Sequence, residues 1–127
     1  MSENTSREGG ELLEIEGEPT PSVPVDVVFA NLAHPGRRFV LTYLLREDRT
    51  VEGHELVEYV VEQSDPPEGL TRAQFRGHVA TSLYQTHLPK LADSGLIAHD
   101  PAEQTATATE ATPAVEPYLE IAARHGR

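Results

Sequence analysis

The stretch from Leu70 to Leu96 constrains the fold more than any other, because it carries helix signals at both ends. Thr71 and Gln74 have the spacing of a capping box, and Leu70 and Phe75 occupy the two positions of a hydrophobic staple. At the far end Gly95 suits a left-handed cap, with Leu96 placed to fold back on the last turn. A helix is therefore expected from about Thr71 toward Ser94. Its apolar stripe drifts, from Phe75, Val79 and Leu83 early to Tyr84, Leu88 and Leu91 later. Gly77 and Pro89 weaken its interior, and Pro89 removes the bond to the Gln85 carbonyl, so a kink or a change of register is expected there.

The elements on either side follow from periodicity. Val25, Val28, Phe29 and Leu32 fall at i, i+3, i+4 and i+7 and make one apolar stripe. His34-Pro35-Gly36 breaks that helix, and Pro35 suits the first turn of a second one whose buried face is Val40, Leu41, Leu44 and Leu45. A turn at Glu47-Asp48-Arg49 and a short strand at Thr50-Val51 lead to a third helix marked by Leu56, Val57, Val60 and Val61. Ser64 to Gly69 reads as a loop. After the long helix, Leu96 to His99 and Thr105 to Thr109 read as two strands of a ribbon, and Tyr118, Leu119, Ile121 and Ala122 mark a closing helix. Residues 1–24, rich in Glu, Gly and Pro, are expected to form a disordered acidic tail, and 25–127 one domain. The fold class is mainly α with a small β-ribbon, in the order of a winged helix-turn-helix.

Charge and cysteine usage narrow the function. With no cysteine, thiol catalysis, thiolate metal sites and disulfides are excluded. The net charge of -11 rests on 21 acidic against 10 basic residues, and Lys90 is the single Lys. That bias fits a protein kept hydrated in a salt-adapted cell. No apolar run reaches the roughly 18 residues of a membrane span, and no secretory signal pattern opens the chain, so a cytoplasmic protein without membrane contact is expected.

The segment Asn31-Leu32-Ala33-His34-Pro35-Gly36-Arg37-Arg38-Phe39-Val40-Leu41 resembles the opening of ArsR-type winged-helix repressors. The segment Gln85-Thr86-His87-Leu88-Pro89-Lys90-Leu91-Ala92-Asp93-Ser94-Gly95-Leu96-Ile97 resembles their recognition helix running into the wing. Ser82 to Leu91 is closer still to small haloarchaeal winged-helix proteins. The resemblance spans roughly residues 25 to 110 and implies a winged-helix fold and DNA binding. The alternative is the same fold used as a protein-interaction module without DNA binding.

The distribution of acids supports the DNA reading independently. No Asp or Glu lies between Glu68 and Asp93, and a second acid-free window runs from Val27 to Arg46. Surfaces that approach phosphate need cations and exclude carboxylates, which makes Arg37, Arg38, Arg72, Arg76 and Lys90 the candidate phosphate contacts. Arg37 and Arg38 have a second reading, as braces of the helix corner. His78, Thr81 and Gln85 follow at helical spacing as candidate readers of base edges, with Thr86 and His87 as substitutes if the kink turns the helix. The wing tip carries Asp100 and Glu103 and no neighbouring cation, so it is not expected to insert into DNA. Double-stranded DNA and a homodimer are the expected partners. The dimer surface would be Val25, Val28, Phe29 and Leu32 with Tyr118, Leu119, Ile121 and Ala122, the alternative for all eight being the core. The six His residues form no close helical pair, with His99, Asp100 and His125 the least poor metal candidates; no metal, cofactor or enzymatic activity is expected.

Overall fold

The computed structural model describes residues 23–125. Residues 1–22 of the expected tail lie outside the described residues. Its last two positions belong to the fold: Val23 packs on the core, and the Pro24 carbonyl accepts from the Val27 and Val28 N–H groups. Helix α1 (Val25–Leu32) turns into α2 (Pro35–Glu47), β1 (Val51–Glu52) leads to α3 (Gly53–Gln63), and α4 spans Arg72–Ser82. A π turn at Leu83–His87 joins α4 to α5 (Leu88–Asp93). The ribbon β2 (Ile97–Asp100) and β3 (Thr105–Ala108), a 3-10 turn at Thr112–Val115 and α6 (Glu116–His125) complete the order.

Caps explain where the helices begin and end. His34 Nδ1 accepts from the Gly36 N–H at 2.9 Å, and Pro35 occupies the first turn of α2, where its missing donor costs nothing. At α4 the Gln74 N–H donates to Thr71 Oγ1 at 3.0 Å and the Thr71 N–H to Gln74 Oε1 at 2.9 Å, the reciprocal pair that the spacing predicts. At the end of α5 the Leu96 N–H reaches the Leu91 carbonyl and the Gly95 N–H that of Ala92. Gly95, at φ +81°, supplies the left-handed residue that this Schellman geometry requires.

The long helix is continuous but changes register, as its drifting stripe suggested, although one turn earlier than Pro89. Phe75, Val79 and Leu83 repeat every four residues, then Leu83 to Leu88 takes five. The Leu88 N–H accordingly bonds the Leu83 carbonyl, an i to i−5 bond that inserts one residue and lets both Leu83 and Leu88 face inward. Pro89 then sits in the first turn of α5.

The sheet has the order β1-β3-β2, antiparallel throughout, with Val51 opposite Ala106 and Ile97 opposite Ala108. Asp100 Oδ1 accepts from the Ala102 and Glu103 N–H groups at the ribbon tip. Buried Thr112 locks the other end: its hydroxyl donates to the Leu96 carbonyl at 2.6 Å and accepts from the Thr109 N–H at 2.7 Å. The core sits between α2, α3 and the α4–α5 helix and is closed by Val115 and Leu119. Leu41, Leu44, Leu56, Leu83, Leu88 and Leu91 are almost completely buried in it.

Candidate nucleic-acid interface

Helices α3 and α4 with the β2–β3 ribbon form a winged helix-turn-helix, and α4 presents the surface of interest. Phe75 and Val79 hold its inner side against the core, which leaves Gln74, Gly77, His78, Thr81 and Ser82 exposed. Gln85 and Thr86 extend that exposed strip through the π turn. The three base-edge candidates, His78, Thr81 and Gln85, therefore share one solvent-facing surface without a carboxylate among them. Nothing lies within 4 Å of where a Gly77 Cβ would stand, so a ligand backbone could approach the helix closely there.

Only part of the candidate phosphate set is free: Arg37 and Arg38 follow their second reading as braces, and Arg76 is paired. Arg37 is 8% exposed, and its guanidinium donates to the Asn31 carbonyl at 2.8 Å, the Ala30 carbonyl at 3.3 Å and His87 Nδ1 at 3.1 Å. It ties the open C-terminal end of α1 to the π turn and cannot reach a phosphate. Arg38 donates to the Leu32 carbonyl at 2.6 Å, so it too braces the corner. Arg76 forms a two-pronged pair with Glu58 of α3, at 2.6 and 2.9 Å, which neutralises it and holds the Glu58 carboxyl below the usual carboxylate range. Of the five cations, Arg72 and Lys90 are exposed, and among the described residues neither has a carboxylate within 4 Å.

His87 belongs to the interior, not to the reading surface. It is 6% exposed, and its ring lies 4.3 Å from that of His34, centroid to centroid. Burial first, then the neighbouring His34 and Arg37, pushes its pKa down to about 4. The ring is thus neutral at pH 7. Because a guanidinium only donates, Nδ1 must be the acceptor and Nε2 carries the proton. Sequence offered no signal for this Arg37–His87–His34 cluster, in which His87 lies fifty positions beyond Arg37. Among the described residues no group of three or more His, Asp or Glu side chains is arranged to hold a metal, and the side chain of His125 lies outside them.

The candidate dimer surface splits in two. Val28, Leu32 and Leu119 are core residues of this chain and leave the candidate set, while Ala122 is half-buried at a groove beside Pro35, Arg38 and Phe39. Val25, Phe29 and Ile121 remain about half exposed, at 51, 55 and 48%. Tyr118 joins them, packed edge-on to Phe29 with centroids 5.4 Å apart.

A family described as Domain of unknown function (DUF7344) matches residues 29–107, more than half of the chain. The chain belongs to this family. The DUF7344 segment begins inside α1 and ends inside β3, so it takes in α2, α3, the whole α4–α5 helix and the ribbon that braces it, while α6 lies beyond it. No curated protein and no solved structure matches the chain. No helix among the described residues is long and apolar enough to cross a membrane.

Proposed function

We propose that this protein is a sequence-selective DNA-binding regulator of transcription, an ArsR-like winged-helix protein that places α4 in the major groove. The observation that carries the reading is the exposed, carboxylate-free strip His78–Thr81–Gln85. Gln can pair with adenine, Thr can bond a base edge or touch the thymine methyl, and His can donate to guanine. The setting is the cytoplasm of a salt-adapted cell. At about 1 M salt the Debye length falls to ~3 Å, so the chain's remaining acids repel DNA little. The working form is a homodimer joined through Val25, Phe29, Tyr118 and Ile121, which gives two α4 helices for two half-sites.

The reduced set of available cations makes the proposal quantitative. With Arg72 and Lys90 alone reaching phosphate, a dimer neutralises four, and log affinity should fall with log salt at a slope of about -3.6. Five cations per subunit would give about -9. Titration of random-sequence duplex DNA from low to molar salt measures that slope, and selection of bound sequences at fixed salt finds the operator. Absence of any binding at low salt would refute the regulator reading. It would favour an interaction module, the second reading, to which the internally engaged Arg37 and Arg76 and the acidic wing tip at Asp100 and Glu103 lend support.

A further inference from the structure

Behind the exposed strip of α4, on the side facing α2 and α3, lies a cavity of about 280 Å³ that opens to solvent on one side. Phe39, Val60, Phe75, Val79 and Leu83 form its apolar wall. A space of about 150 Å³ is enough for benzene, so this one takes a substituted or two-ring aromatic. A small apolar cavity with a few convergent polar groups is the usual form of a ligand site.

Its polar side chains are His34, Ser64, His78, Ser82 and His87, and His87 is the buried one among them. It is more than nine-tenths buried and lines the cavity, and its Nδ1 is committed to Arg37. Its Nε2–H remains, and among the described residues it has no hydrogen-bond partner. His34, on the same wall, is likewise an Nε2–H donor, because its Nδ1 accepts from the Gly36 N–H. The Arg37 guanidinium stands directly behind His87, and the positive end of the 13-residue helix α2 begins at this wall. No Asp or Glu lines the cavity, in a chain with 21 of them. Two N–H donors backed by a buried cation and a helix N-terminus favour an anion, whereas the wall favours a ring.

We propose that this cavity is a binding site for a compact aromatic carboxylate, its ring between Phe39, Phe75 and Leu83 and its carboxylate on the Nε2–H groups of His87 and His34. The proposal does not rest on α4 reading DNA, although His78 and Ser82 of the exposed strip also border the cavity.

The test is titration of the full chain with cinnamate and, separately, with its uncharged amide, followed by imidazole and backbone nuclear magnetic resonance at fixed salt. Cinnamate should bind saturably with a dissociation constant of roughly 0.1–1 mM for a ligand of this size. It should move the His87 ring resonances, and it should bind at least about fivefold more tightly than the amide. Val79→Phe, which fills the cavity with an apolar side chain, should weaken cinnamate at least about tenfold while circular dichroism stays unchanged. Three results would each overturn the assignment: no saturable change at His87 in the unmodified protein, equal binding of acid and amide, or undiminished binding to a folded Val79→Phe variant. The first two need no variant, so a failure of Val79→Phe to fold leaves the proposal open to refutation.

Discussion

Replacing Arg37 by Met separates a structural brace from a phosphate contact. Met keeps an unbranched stem of similar reach and removes every donor, so three acceptors lose their partner at once: the carbonyls of Ala30 and Asn31 and Nδ1 of His87. An acceptor stranded in a buried site costs about 1–3 kcal/mol. The Asn31 and His87 bonds are buried and belong at the middle of that range, whereas water can reach the Ala30 carbonyl and holds its share near the lower end. The gross loss is about 5 kcal/mol, offset by about 2 kcal/mol because the variant no longer desolvates a guanidinium. The net expectation is about 3 kcal/mol, a large fraction of the 5–15 kcal/mol by which domains are usually stable. Arg37→Lys should lose about 2 kcal/mol, since one ammonium cannot serve three acceptors set out for a planar fork. Urea unfolding of the full chain at fixed salt measures both. A loss below about 1 kcal/mol in Arg37→Met, together with a weakened salt dependence of DNA binding, would refute the brace and restore Arg37 as a phosphate contact.

Three further outcomes follow from contacts already described. His87 has a folded pKa of about 4, below the unfolded value near 6.5, so the unfolded chain binds the extra proton first. Its contribution to stability is complete above pH 6.5 and is lost as pH falls from 6.5 toward 4. The full shift corresponds to about 3 kcal/mol, reduced to about 2 by solvent entering from the cavity; a flat stability profile over that window would contradict the buried neutral ring. Thr112→Val keeps the shape but strands the Leu96 carbonyl and the Thr109 N–H, and should lower the urea midpoint by the equivalent of about 2 kcal/mol. Gly53→Ala would set a Cβ 2.5 Å from the Tyr84 hydroxyl oxygen and should cost about 1–3 kcal/mol. Adding Tyr84→Ala should remove most of that clash penalty, so strictly additive losses in the double variant would show that the two side chains do not collide.

Most of the architecture was legible because local chemistry and tertiary demand agree here. Capping residues at Thr71, Gln74, Pro35 and Gly95 specify helix ends through backbone bonds that need no distant partner. The change of register in the long helix was legible as a drifting stripe, but its place was not. Pro89 marks where one hydrogen bond must be missing, whereas the position of the extra residue is decided by which leucines the core accepts. The exposed strip of α4 follows from helical period alone. Arg76 was misplaced, and Arg37 was left between brace and phosphate contact, for the opposite reason, since charge in sequence does not reveal its partner: Glu58 lies eighteen positions before Arg76, and the acceptors of Arg37 include a ring nitrogen fifty positions away. The stripe in α1 was likewise read as one surface, yet Val28 and Leu32 are buried in the core while Val25 and Phe29 stay half exposed, Phe29 against Tyr118 of α6.

The π turn at Leu83–His87 has a consequence for how such a helix can diversify. One additional residue rotates everything downstream by about 100° relative to an unbroken α-helix, so the solvent side before the turn and the core side after it obey separate phase constraints. Outward substitutions upstream can then accumulate without repacking Leu88 and Leu91. Deleting a single residue from the turn would instead swing that downstream pair away from the hydrophobic interior, leaving a chain of nearly the same composition with the last turns of its longest helix facing the wrong way.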